Sequence, residues 1–107
     1  KFADAKTAFA GFVRQYPRSG YVPSARFWLG NAQYAAREYK EAIGNFKMLL
    51  SEAPGHARAP EAALSIANCQ IELKETRTAR KTLEDLLRDY PQSEAAVAAK
   101  ERLSRLK

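Results

Sequence analysis

The sequence predicts an all-α solenoid of six helices that pack as antiparallel pairs. The first observation behind this prediction is that prolines recur every 37 residues, at Pro17, Pro54 and Pro91. The second is that apolar residues between these prolines are spaced as on one face of an α-helix, and no segment alternates as a strand does. A period of this length built from helical spacings is typical of stacked helical repeats, which mostly bind other proteins.

Three predicted helices, which we call second-type helices, share one pattern and cover residues 2–16, 39–53 and 76–90. Each has an alanine followed four, seven, eight and eleven residues later by further apolar or aromatic residues, as after Ala42 and Ala79. This spacing forms one apolar helix face. The alanine is small where neighbouring helices must approach closely. Each helix ends before a proline because the proline ring disfavours helical geometry in the preceding residue.

The other three predicted helices, the first-type helices, cover residues 21–36, 58–74 and 93–106. Ser19 and Ser93 lie just after prolines and are predicted N-caps, and Pro23 and Pro60 fit the first helical turn. Gly30 lies in mid-helix, where glycine costs about 1 kcal/mol relative to alanine. We expect that glycine is present there because a facing helix packs closely against this position. The short turns at 37–38 and 75–76 predict antiparallel helix hairpins.

Composition favours one soluble domain spanning residues 1–107 and excludes several classes of function. The net charge of +6 is spread along the chain, with no run of five like charges, so no nucleic-acid partner is expected. No apolar run approaches the roughly 20 residues that a membrane helix needs. Cys69 has no second cysteine to pair with, and its place on an apolar stripe predicts a buried, unreactive side chain.

Catalytic chemistry finds no support in the sequence. The single histidine, His56, lies in a turn where the other repeats have serine, so we expect a turn residue rather than a base or a ligand. Glu84 and Asp85 are adjacent on a helix and point about 100° apart, so they cannot act as a carboxylate pair. The prediction is a protein that is not an enzyme, with no cofactor and no metal site.

The motif Leu29-Gly30-Asn31-Ala32, with Tyr34, Tyr39, Glu41-Ala42-Ile43, Phe46, Leu49-Leu50 and Pro54, resembles the tetratricopeptide repeat. The resemblance implies a right-handed solenoid. The usual repeat has 34 residues, and the extra residues here lie in the stretch Tyr16-Pro17-Arg18-Ser19-Gly20-Tyr21-Val22-Pro23. That stretch and the ending Tyr90-Pro91-Gln92-Ser93 are similar to the C-terminal domain of the Tol-Pal-associated periplasmic cell-division coordinators (the YbgF/CpoB family).

The narrower resemblance implies a periplasmic protein of Gram-negative bacteria. It implies a homotrimer formed through an N-terminal coiled coil that residues 1–107 lack, so that this chain is the C-terminal part of a longer protein. It also implies TolA and a bifunctional penicillin-binding protein as partners, and a role in coordinating peptidoglycan synthesis with outer-membrane constriction. Two alternatives stay open: the repeat domain of an outer-membrane assembly lipoprotein, and a self-associating structural module.

The resemblance also implies a concave groove lined by the first-type helices. Its predicted partner-binding residues are Phe27, Asn31, Tyr34, Leu64, Asn68, Ile71, Arg102 and Arg105. Phe27 and Tyr34 are expected to be exposed aromatic anchors. Asn31 and Asn68 match asparagines that hold a bound peptide in related repeats, and Arg102 matches a basic residue of their carboxylate clamps. The companion lysine positions hold Ala35 and Ala98, which argues against a complete clamp.

One further expectation concerns the first helix. Residues 2–16 have the second-type pattern, but no first-type helix precedes them in the sequence. Phe9 and Phe12 are therefore expected to be only partly covered within a single chain, and another copy or a further helix is expected to cover them.

Overall fold

The computed structural model describes residues 2–106 and confirms the predicted all-α class: six helices and no strand occur within that range. The helices are α1 (Phe2–Gln15), α2 (Val22–Ala35), α3 (Tyr39–Glu52), α4 (Ala59–Glu72), α5 (Thr76–Asp89) and α6 (Glu94–Arg105). Each helix packs on the next, and α4 also contacts α6. The result is an elongated stack of 41 × 27 × 18 Å.

The turns inside the helix hairpins are closed by the same backbone arrangement. Arg37 and Lys74 adopt left-handed conformations, with φ of 64° and 66°. The N–H groups of Glu38 and Glu75 donate to the carbonyls of Gln33 and Gln70, both at 2.8 Å. This is the Schellman pattern, which satisfies the carbonyls at the helix end. The turn after α4 therefore centres on Lys74, and Thr76 is the first residue of α5 rather than part of the turn.

The helix starts confirm some of the predicted capping residues and correct one. Ser93 caps α6, where its hydroxyl accepts the N–H of Ala96 at 3.0 Å. Ser19 is not the N-cap of α2, because the proline turn continues to Tyr21. The Ser19 hydroxyl instead accepts the N–H of Tyr21 at 3.1 Å. Prolines occupy the first turns of α2 and α4, as predicted.

His56 has the same local role as its repeat equivalent Ser19. Its Nδ1 accepts the N–H of Arg58 at 3.0 Å, as the Ser19 hydroxyl accepts that of Tyr21. Its Nε2 lies 3.3 Å from the Ser24 hydroxyl. Because Nδ1 accepts a backbone N–H, the second ring nitrogen, Nε2, is left to share a hydrogen bond with Ser24. The histidine is a turn residue that links the start of α4 to α2.

Two clusters form the core, one for each pair of adjacent repeats. The first contains Phe27, Phe46, Leu49 and Ile66, and the second contains Ala67, Leu83, Leu86 and Ala99. Two of the three leading alanines of the second-type helices, Ala42 and Ala79, are fully buried. This explains why the sequence has alanine there: a larger side chain would have no space where helices cross.

The side chain of Cys69 is completely buried in the first cluster. Burial raises the pKa of its thiol from 9.0 to about 11, and nearby Glu72 adds to the effect. We expect the free energy of unfolding to fall as pH rises from about 9 to about 11, since only the unfolded chain loses the proton in this window. The loss should be roughly 2–3 kcal/mol.

Urea denaturation of the wild type and a Cys69→Ala variant across this pH window checks the prediction. The variant controls for the titration of lysines and tyrosines. Equal slopes of stability against pH in the two proteins would contradict a buried, unionised thiol.

Candidate functional site

The first-type helices together line one groove, which we call the Tyr34–Arg102 groove. It has a volume of about 360 Å3 and combines residues of α2, α4 and α6 with the residue after α6. Its lining residues are Tyr34, Asn68, Ile71, Glu72, Arg102, Arg105 and Leu106. Five of the predicted site residues meet here, although 71 positions separate Tyr34 from Arg105 along the chain. The repeat register produces this, since each helix contributes the same end to the groove.

Two groove side chains have hydrogen-bonding groups that no neighbour uses. Within residues 2–106, the amide of Asn68 makes no side-chain hydrogen bond and the guanidinium of Arg102 makes no ion pair. Both side chains are half-buried. An arginine offers five N–H donors in a planar fork that fits a carboxylate. The groove therefore presents donors that are available to a ligand.

Side-chain amides elsewhere in the stack form hydrogen bonds within the protein, unlike that of Asn68 in the groove. Asn45 of α3 donates to the side-chain oxygen of Gln33 at 2.8 Å. One repeat later, the hydroxyl of Thr82 donates to the side-chain oxygen of Gln70 at 2.7 Å. These hydrogen bonds connect each first-type helix to the second-type helix that follows it. Asn31 and Asn68, on the first-type helices, take no part in this network.

The groove lining carries one carboxylate, that of Glu72, and two guanidinium groups, those of Arg102 and Arg105. Burial, and then the carboxylate of Glu72, raises the pKa of the Tyr34 hydroxyl, while Arg102 acts in the opposite direction. These three side chains from three helices are therefore close enough to sense one another. Arg105 pairs only loosely with Glu101, at 3.8 Å between exposed side chains, which contributes little stability. Tyr34, Ile71 and Leu106 supply an apolar wall beside the two arginines.

Phe27 corrects the prediction of an exposed anchor. Its ring is 4% exposed, lies edge-on to Phe46, and is covered by the guanidinium of Arg58 at 5.2 Å. It is a core residue because α3 brings Phe46 beneath it. The neighbouring Trp28 is 40% exposed, and the guanidinium of Arg58 also lies over its ring, at 4.9 Å from the centroid. The contact of Arg58 with these two aromatic rings could not be predicted from the sequence, because it depends on how the helices pack.

The other two predicted residues lie outside the groove lining. Asn31 is half-buried on α2, one helical turn before Tyr34, and its amide makes no hydrogen bond within the described residues. Leu64 is partly buried and packs against the second core cluster. Asn31 therefore stays a candidate for ligand contact at the edge of the groove. Leu64 serves mainly the core.

Within residues 2–106, a metal site would require clustered ligand side chains, and a membrane span would require a long, apolar helix. No group of three or more His, Cys, Asp or Glu side chains in this range could hold a metal ion. Among its helices, none is both long and apolar enough to cross a bilayer. What the described surface does offer is a lined groove with free donors.

A stack of helix hairpins with a groove along its first-type helices defines a helical-repeat protein of the kind that binds other proteins. The tetratricopeptide repeat family model matches residues 33–103, which is most of the chain. The chain belongs to the tetratricopeptide repeat family. The predicted all-α fold and the predicted membership of the tetratricopeptide repeat family are thereby confirmed.

The chain is also similar to a known member of one group of repeat proteins. Over 31 residues the chain is 48% identical to the cell division coordinator CpoB of Escherichia coli (strain K12). This segment is 29% of the chain and 12% of that protein, so the chain matches only a small part of the relative's length.

Proposed function

We propose that this domain is a non-catalytic scaffold that holds a segment of a partner protein in the Tyr34–Arg102 groove. The observation that carries the proposal is the pair of unpartnered donors, Asn68 and Arg102, beside an apolar wall. A peptide backbone has carbonyls for the amide, an acidic side chain or chain end suits the arginine, and an aliphatic side chain suits Ile71. The repeat family and the named relative support a role in protein interaction.

We further propose that the domain acts in the bacterial periplasm, as part of the Tol-Pal system. In this proposal its partners are TolA and a bifunctional penicillin-binding protein, and it coordinates peptidoglycan synthesis with outer-membrane constriction during cell division. A homotrimer formed through an N-terminal coiled coil is part of the same proposal. The similarity to a cell division coordinator and the proline-turn motifs support it.

Groove substitutions test the proposal. We expect Asn31→Ala, Asn68→Ala and Tyr34→Ala each to weaken binding of the periplasmic part of TolA by about 2 kcal/mol, a factor of about 30 in Kd. The reason is that each removes a hydrogen-bonding or aromatic group from the groove or its edge. Isothermal titration calorimetry measures the affinities, and circular dichroism verifies the fold.

Lys40→Ala is the matched control, because Lys40 is exposed on a second-type helix outside the groove. It should bind as the wild type does. Binding that survives all three groove substitutions would place the partner site on another face. Binding lost equally in the control would indicate a nonspecific effect of substitution.

A further inference from the structure

Residues of α3, α4 and α5 form a groove that is separate from the Tyr34–Arg102 groove. This α3–α5 groove has a volume of about 320 Å3, and the two grooves share no lining residue. Its lining includes the apolar residues Leu50, Ile66 and Leu86, one from each helix. It also includes the carboxylates of Asp85 and Asp89, both on α5. The groove therefore combines an apolar surface with negative charge.

The preceding repeat has an arginine at the corresponding place. Subtracting the 37-residue period from Ala63 and Asp89, which both line the groove, gives Arg26 and Glu52. The guanidinium of Arg26 donates to the carboxylate of Glu52 at 3.0 Å and to the side-chain oxygen of Asn45 at 3.4 Å. Only 16% of the Arg26 side chain is exposed. In that repeat, an arginine of the chain itself occupies the space beside the two acceptors.

The repeat that contains the α3–α5 groove has the acceptors without the arginine. Thr82 lies one period after Asn45, so its hydroxyl and the carboxylate of Asp89 are both acceptors in the groove lining. The residue one period after Arg26 is Ala63, whose methyl group has no hydrogen to donate. The α3–α5 groove is thus the space that an arginine side chain fills one repeat earlier.

We propose that the α3–α5 groove is a second docking site, which takes an arginine side chain of a partner protein. The guanidinium pairs with Asp89 and donates to the hydroxyl of Thr82, which repeats the contacts of Arg26. Its planar fork of five N–H donors allows both contacts at once. The methylene groups of the arginine pack on the apolar part of the lining, as long cationic side chains commonly do.

The charged neighbours of Asp89 allow such an exchange. Its carboxylate is paired at 2.9 Å with the adjacent Arg88, and both side chains are at least half exposed, so this pair contributes little stability. Asp85 is held more firmly, by Lys81 at 2.9 Å and by Arg88 at 3.1 Å. Lys47 also lines the groove but is exposed, so its ammonium group can stay in water. A partner arginine therefore displaces only the weak contact at Asp89.

The position of the groove within the stack indicates a partner protein as the source of the arginine. The groove is formed by the consecutive helices α3, α4 and α5, each packed on the next, so no helix of the repeat is missing from it. A volume of about 320 Å3 has space for a side chain and not for a further helix. The occupant is thus a side chain that projects from the surface or a loop of another protein.

The probe for this site is arginine blocked at both ends, N-acetyl-arginine N-methylamide, titrated into the intact chain. We expect saturable amide NMR shifts concentrated at Ala63, Thr82 and Asp89. Blocked citrulline, which has nearly the same shape but no charge, should bind at least about tenfold more weakly. Asp89→Asn should weaken the binding of blocked arginine by a similar factor. Glu84→Gln is the matched control, since Glu84 is an exposed carboxylate on the same helix outside the groove, and it should bind as the wild type does.

Two further variants complete the test. Ala63→Arg should abolish binding of the probe, because it supplies from within the chain the arginine that the preceding repeat has; if this variant does not fold, Asp89→Asn alone decides. Asn68→Ala should leave probe binding unchanged, which separates this site from the Tyr34–Arg102 groove. The proposal is overturned if blocked arginine gives no saturable shifts, if citrulline binds equally well, or if Asp89→Asn leaves the affinity unchanged. Self-association in sedimentation that blocked arginine reverses would assign the groove to a second copy of the chain and also overturn it.

Discussion

Replacing Gly30 with alanine is expected to destabilise the domain by about 1–3 kcal/mol, although alanine is the better helix former by about 1 kcal/mol. The added Cβ would lie 2.7 Å from two ring carbons of Phe46. Phe46 is completely buried and cannot swing aside without disturbing the core. The steric cost therefore outweighs the gain in helix propensity. Chemical denaturation of both proteins measures the difference.

The repeat predicts which second substitution restores stability. One period later, Gly30 is replaced by Ala67 and Phe46 is replaced by Leu83. The residue on the first-type helix is therefore larger there, and the residue that faces it is smaller. Phe46→Leu alone should cost about 1–2 kcal/mol. The double variant should be more stable than the sum of the single effects by about 1 kcal/mol or more, since the leucine leaves space for the alanine Cβ. Additive effects would contradict a direct Gly30–Phe46 contact as the cause.

A second large effect is expected at the two buried alanines of the second-type helices. Ala42→Leu and Ala79→Leu should each destabilise by about 1–3 kcal/mol, because both side chains are completely buried and have no room to grow. Lys40→Leu is the matched control, since Lys40 is exposed near Ala42 on the same helix. It should change stability by less than about 0.5 kcal/mol.

Urea denaturation of the three variants gives the comparison. A cost at Lys40 equal to that at Ala42 would show that helix propensity or solubility, rather than crowding at the crossing, controls the effect. A cost at Ala42 but none at Ala79 would show that the two crossings are not equivalent.

The fold was predictable because its determinants are local and repeated. Prolines end three helices, the spacing of Ala42, Phe46 and Leu49 defines a buried face, and the same pattern returns one period later. Each repeat is one supersecondary unit whose apolar face must be covered by its neighbours, so pattern and architecture are closely linked. The half-buried state of Phe9 and Phe12 follows from the same argument.

The site was less predictable, because exposure depends on which helix lies opposite. Tyr34, Asn68 and Arg102 have the spacing of a shared face, and the structure brings them to one groove. Phe27 has that spacing too, yet Phe46 and Arg58 enclose its ring. Arg58 is close to Phe27 only through the packing of α4 on the preceding hairpin. No periodicity in the sequence shows such a stacking contact.

The sequence by itself determined the helices, their order, their pairing and the face that each buries, since these depend on proline positions and on 3.6-residue spacing. Tertiary structure alone decided which residues of that face remain open to a ligand. It also decided that Gly30 must lack a Cβ against Phe46 in particular, and that the donors of Asn68 and Arg102 find no partner. The physical reason is that close packing and hydrogen-bond satisfaction are set by atoms from other helices, at distances that helical spacing does not encode.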